Sequence, residues 1–94
     1  MIEVRQRQEF SAWLRRLKDA NAVARIVARI RRLEQGNPGD RASARACWMR
    51  IDYGPGYRVY YLHRGAQIVV LLCGGDKRTQ QQDIERAQML AETF

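Results

Sequence analysis

Apolar residues in the first half of the chain recur mostly at helical spacing, and those in the second half mostly at strand spacing. Ile2 and Val4 alternate with Glu3 and Arg5, so Met1 to Arg5 opens the chain with a short strand pattern. Phe10, Trp13, Leu14 and Leu17 then fall at i, i+3, i+4 and i+7, which places all four on one side of a helix and makes them core. Asp19-Ala20-Asn21 interrupts the stripe and offers a cap, after which Val23, Ile26, Val27, Ile30 and Leu33 repeat the spacing. Two amphipathic helices with a short link predict a helical hairpin. Gly36 to Asp40, GNPGD, ends the second helix.

From Met49 to Lys77 the period changes to two. Met49, Ile51 and Tyr53 alternate with Trp48, Arg50 and Asp52, and Gly54-Pro55-Gly56 supplies the backbone freedom and the fixed φ that a reversal needs. Tyr57 to His63 is rich in Tyr and Val, Arg64-Gly65-Ala66 reverses it, and Ile68 to Cys73 is an unbroken apolar run ending at Gly74-Gly75. Such a run suits a strand buried on both faces, so it needs a neighbour on each edge, and the Met1 to Arg5 strand is the candidate beside Tyr57 to His63. Thr79 to Gln82, TQQQ, fits a capping box, and Ile84, Ala87, Leu90, Ala91 and Phe94 form the stripe of a C-terminal helix. The pattern predicts one α+β domain over residues 1–94. Its order is β-α-α-β-β-β-α, with an antiparallel-dominated four-strand sheet, the helical hairpin on one face, and the last helix packed on the sheet.

Composition adds a partner class to this fold. The 94 residues carry 17 Lys and Arg against 10 acidic residues, a formal net charge of +7, and only Lys18 and Lys77 are lysines. An arginine-dominated surface favours planar, bidentate contact with phosphates or carboxylates, pointing to nucleic acid or an acidic protein. Arg25, Arg29 and Arg32 recur along one side of the second helix beside Arg31, either as a solvated basic face or as the contact for an acidic partner. Cys47 and Cys73 have neither metal-type spacing nor the density of a disulfide scaffold, and His63 is the single histidine. The expectation is a cytoplasmic protein with no metal and no cofactor. No apolar run approaches membrane-spanning length.

The stretch GYRVYYLHRGAQIVVLLCGGDK, with RIDYGPGYRVYY overlapping its start, resembles the RelE/ParE toxin superfamily, and within it the HigB-like addiction module killer toxins. The resemblance covers nearly the whole chain. It implies the toxin of a type II toxin–antitoxin pair, a ribosome-dependent mRNA endonuclease that works without a metal. The implied partners are a helix-turn-helix antitoxin, the ribosome and mRNA. Two other readings share the fold: a ParE-like inhibitor of DNA gyrase, and an inactive relative that only binds its antitoxin. The matching arginine of the GYR step and the basic residues after the last strand line the RNA site in that superfamily, which carries over to Arg58 and Lys77, with Arg78 beside them. The chain departs from the pattern in three places. Arg41 to Trp48 lacks the subgroup's lysine-proline step, the lysine pair of RelE is absent so that Arg50 is the cation of its strand, and no tyrosine or histidine follows Lys77.

Metal-free RNA cleavage needs the ribose 2′-hydroxyl to attack the neighbouring phosphorus. A site must accept that proton, neutralise the phosphorane and protonate the leaving 5′-oxygen. Arg58, forked and permanently charged, suits the second task, with Arg50 one strand over. Tyr60, two residues from Arg58, shares its side of the strand and is expected to stack on a base or orient a phosphate. Lys77 is expected to exchange a proton, while Asp76 reads as a turn residue or salt-bridge partner. Tyr53 and His63 complete the expected RNA-binding set, although a single histidine at a strand end is most often a surface residue.

Overall fold

The computed structural model describes residues 2–35, 41–43, 47–64 and 68–92. The elements follow the sequence pattern: β1 (Glu3–Gln6), α1 (Gln8–Arg16), α2 (Ala20–Glu34), β2 (Arg41–Ser43), β3 (Cys47–Ile51), β4 (Tyr57–Arg64), β5 (Ile68–Gly75), a single 3-10 turn (Lys77–Thr79) and α3 (Gln80–Glu92). The expected reversals at Gly36 to Asp40 and Gly65-Ala66, and the last stripe residue Phe94, lie outside the described residues.

The fold is α+β around one sheet of order β1-β5-β4-β3-β2. Two features depart from the expectation of four strands dominated by antiparallel pairing. The three-residue strand β2 pairs with β3 and makes a fifth, in a segment for which the sequence predicted no element. The sheet is also mixed, because β1 runs parallel to β5 while β2·β3, β3·β4 and β4·β5 are antiparallel. Hairpins force antiparallel neighbours, but β1 reaches β5 only after two helices and three strands, so no turn dictates its direction. With β1 on one edge and β4 on the other, β5 is buried from Val69 to Gly75, as its unbroken apolar run predicts.

Helices cover both faces of the sheet. Phe10 from α1 and Ile26, Ile30 and Leu33 from α2 join Met49, Ile51, Val59, Tyr61, Val69 and Leu71 in the larger core, flanked by Trp13, Leu14 and Leu17. Asp19 caps α2 by accepting from the backbone N–H groups of Asn21 (2.9 Å) and Ala22 (3.3 Å), which satisfies donors that the first helical turn leaves unpaired. On the opposite face a smaller core joins Tyr60, Val70, Leu72 and Cys73 to Ala87, with Ile84, Leu90 and Ala91 of α3 beside them. Tyr60 pairs with Cys73 and Tyr61 with Leu71, so Leu72 is an extra residue in β5 and forms a bulge. Beyond the bulge the alternation of β5 is inverted. Cys73 and Gly75 point toward α3, and Gly74 points toward α1, where an added Cβ would lie 2.3 Å from the Trp13 ring.

Candidate functional site

The β3–β4 turn sets the geometry of the site. Gly54 (φ 59°) and Gly56 (φ 79°) both occupy the left-handed region, so the turn closes tightly and Gly56 N–H donates to the Tyr53 carbonyl over 3.2 Å. β4 then leaves the turn with Arg58 and Tyr60 on the α3 face. Arg58 is directly opposite Arg50 on β3 and Gly75 on β5, and Tyr60 is opposite Trp48 and Cys73. Like charges directly opposite on two strands destabilise a sheet unless an anion lies between them.

Arg58 is only 8% exposed. Its Nη1 donates to the Gly56 carbonyl (2.9 Å), whereas its buried Nε has no hydrogen-bond partner among the described residues. A Cβ built on Gly56 would lie 3.6 Å from Arg58 Nη1 and 3.7 Å from Lys77 Cβ, so Lys77 stands over the same turn. Lys77 itself is exposed. The sequence-expected cations Arg58, Arg50 and Lys77 therefore converge on one end of the sheet, on its α3 face.

Arg78, also exposed, borders this end. Asp76 accepts from the Arg78 backbone N–H (2.9 Å) and pairs with its guanidinium (2.9 Å), so it serves as the expected turn residue and salt-bridge partner. The Arg78 side chain holds the Asp76 carboxyl below the usual carboxylate range, and Asp76 in turn raises Arg78. With its guanidinium in solvent, which screens the pair, Arg78 can turn to another anion at little cost.

Tyr60 differs from its expected role. It is 1% exposed, packed in the smaller core, and its hydroxyl is buried without a partner among the described residues. A ring at that depth cannot stack on a base. Burial first, and Asp83 second, push its phenol up to about 12 against the opposing pull of Arg58, so Tyr60 holds its proton across the neutral range. The half-buried ring beside it is Trp48, with centroids 6.3 Å apart. Trp48 was not singled out as a site residue by sequence, although its alternation with Met49 already placed it on the side opposite the core.

Tyr53 and His63 are not brought to this site. The Tyr53 hydroxyl donates to Asp19 Oδ2 (3.1 Å), and the Arg25 guanidinium lies 4.6 Å above its ring, which ties the turn to the start of α2. His63 packs edge-on against Tyr61 (5.5 Å) on the face of the larger core, five residues from Arg58, roughly 17 Å along the strand. Of the basic stripe on α2, Arg25 thus stacks on Tyr53, and Arg29 donates to the Arg50 carbonyl (2.8 Å). Two of its three residues brace the β3 end that carries Arg50.

A second unforeseen residue closes the site from the helix side. Thr79 Oγ1 donates to Asp83 Oδ2 (2.6 Å) where a bond to Gln82 was expected, because Thr79 closes the 3-10 turn that runs into α3 at Gln80 and is not an extended N-cap. A Cβ on Gly75 would lie 1.8 Å from Asp83 Oδ2, so the carboxylate fills the space of the missing side chain, next to Arg58 across the strand pair. Cys73, whose thiol burial pushes up to about 12, contacts the Asp83 carbonyl through Sγ at 3.9 Å and anchors this turn to β5. Among the described residues no group of three His, Cys, Asp or Glu could hold a metal ion, and no helix is long and apolar enough to cross a membrane.

No family model matches the chain, and no solved structure matches it. An uncharacterized protein of Haemophilus influenzae is 46% identical over 93 residues, spanning 97% of this chain and 94% of that one. The chain belongs to one family with that protein.

Proposed function

We propose that this chain, and with it the family it shares with the Haemophilus influenzae protein, acts as the toxin of a type II toxin–antitoxin pair that cuts mRNA on the ribosome. The observation that carries the reading is Arg58. A buried guanidinium with an unpartnered Nε, opposite a second arginine and beside a lysine, is costly in a free protein and becomes favourable once a phosphate sits among the three. Arg58 and Arg50 hold the scissile phosphate and the charge that grows on it, and Lys77 gives a proton to the departing 5′-oxygen. Trp48 offers a face on which a base can stack, and Arg78 holds a flanking phosphate. The net charge of +7 draws the protein to RNA and to an acidic helix-turn-helix antitoxin, which meets the arginines of α2.

Expression of the chain in growing cells, followed by mapping of mRNA 5′ ends, tests the reading. Cuts phased with codons in translated messages are expected. Intact mRNA together with lost DNA supercoiling would move the assignment to gyrase inhibition, and neither effect would leave antitoxin binding as the activity.

A further inference from the structure

The site gathers three cations, Arg58, Arg50 and Lys77, with the lysine assigned as proton donor, yet the side chains assigned so far include nothing to accept a proton. Asp83 is placed for that task by three contacts and one strand pairing. Its carboxylate rests on the backbone of Gly75, in the space a Cβ would occupy. Gly75 is the strand partner of Arg58. Thr79 fixes Oδ2 at 2.6 Å, and Cys73 Sγ meets the Asp83 carbonyl at 3.9 Å, so both the carboxylate and its backbone are held. Among the described residues it forms no ion pair with Arg58, so its charge is not consumed by the cation it stands beside. Tyr60 of β4 and Cys73 of β5 both feel the Asp83 charge, and the other charged groups that act on one or the other of them are Arg58 of β4, Asp76 before the 3-10 turn, Arg86 of α3 and Glu9 of α1.

We propose that Asp83 is the proton acceptor of this site, a catalytic carboxylate that takes the proton of the attacking ribose 2′-hydroxyl through Oδ1. The inference rests on the RNA-cleaving reading above. The 2′-O–H bond breaks and its proton passes to Asp83, while the oxygen's electron pair forms the bond to phosphorus. The P–O5′ bond breaks, and the 5′-oxygen takes a proton from Lys77. The products are a 2′,3′-cyclic phosphate and a 5′-hydroxyl, with Asp83 neutral and Lys77 deprotonated until water restores both. Thr79 is a positioning residue that presents Oδ1 by holding Oδ2.

Single-turnover cleavage of mRNA on programmed ribosomes, measured against pH for wild type, Asp83→Asn, Asp83→Glu and Thr79→Val, tests the assignment. Asparagine keeps the shape and can still accept from Thr79 but cannot accept a proton. Asp83→Asn should slow the chemical step by about 10²- to 10⁴-fold with ribosome binding unchanged, and the fall in rate at acidic pH should vanish. Asp83→Glu should regain part of the rate together with the acidic limb. Thr79→Val removes the hydrogen bond that asparagine keeps and should slow cleavage far less, with the limb retained. A purely structural Asp83 predicts the opposite: Asp83→Asn, which keeps the bond from Thr79, near the wild-type rate, Thr79→Val the slower and less thermally stable of the two, and the limb intact in both. Wild-type rate in Asp83→Asn overturns the inference while the RNA-cleaving reading stands, whereas a wild-type protein that makes no cut overturns both.

Discussion

The two faces of the sheet are built to different rules. On the α1/α2 face Phe10, Ile26, Leu33, Met49, Val59 and Leu71 are fully buried and apolar, with Trp13 seated on Gly74. On the α3 face the core is smaller, and buried among or beside its residues are a guanidinium nitrogen and a phenol without partners, a high-pKa thiol and a carboxylate lying on Gly75. An unpaired buried polar group costs on the order of 1–3 kcal/mol, so the second face gives up stability that the first supplies. The two glycines that end β5 mark the division, because adjacent residues of one strand open onto opposite faces, the first accommodating an aromatic ring and the second a carboxylate.

Substitutions that separate stability from activity probe this division. The largest effect is expected from Phe10→Ala, which should lower unfolding free energy by about 3–5 kcal/mol in urea titration while leaving the cleavage rate of the folded fraction unchanged. A comparable loss of activity at full occupancy of the folded state would mean that the faces are not independent. Gly74→Ala and Gly75→Ala should each cost roughly 1–3 kcal/mol, since each new methyl displaces a neighbour. Only Gly75→Ala should also slow cleavage, because it moves Asp83, so equal cleavage by the two variants would break the comparison. The smallest effect concerns Tyr60→Phe, expected to leave stability unchanged or raise it by about 1 kcal/mol by removing a hydroxyl that has no partner.

Alkaline pH sharpens the same contrast. Tyr60 and Cys73 are raised from ordinary values of 10.0 and 9.0 to about 12. Above about pH 9 the unfolded chain releases these protons before the folded one does, so the stability they contribute is complete below that pH and is lost progressively up to about pH 12. Urea midpoints measured across this range should fall for the wild type and fall less for Tyr60→Phe and for Cys73→Ala. Identical slopes in all three would show that neither group is as deeply desolvated as its burial implies.

The helices and long strands were legible in the sequence because their apolar spacing is set by burial on a known period. Phe10, Ile26, Ile30 and Leu33 are core for the reason that their spacing gives, and the pairing of β1 with β5 followed from the need to cover an unbroken apolar strand. What escaped notice depended on tertiary context. The bulge at Leu72 leaves no mark in a continuous apolar run, yet it decides that Cys73 and Gly75 face α3. Asp83, an acidic residue in a first helical turn, carries no mark of its own, since a sequence does not say that Gly75 opens beneath it. Tyr60 was placed on the correct strand, whereas Tyr53, read as the end of its strand, lies past Ile51 in the β3–β4 turn, and alternation gives a face and not a depth. Tyr60 lies too deep to meet a base, and Tyr53 is taken by Asp19 and Arg25. Convergence of Arg58, Arg50 and Lys77 was readable because strand register and the exit of β5 fix all three.

Arg58→Met offers the most direct test of a face that exchanges stability for chemistry, since it keeps the volume of the buried stem and removes the guanidinium. A buried charge replaced by an apolar residue of similar volume should leave stability equal or higher. On the proposed RNA-cleaving reading, removal of the guanidinium should slow cleavage of ribosome-bound mRNA by about 10²- to 10³-fold. Urea titration and single-turnover cleavage on the same preparation decide the matter: a stable variant that has lost cleavage is the predicted result, and a variant that cleaves at the wild-type rate, or that loses cleavage only because it has unfolded, contradicts it.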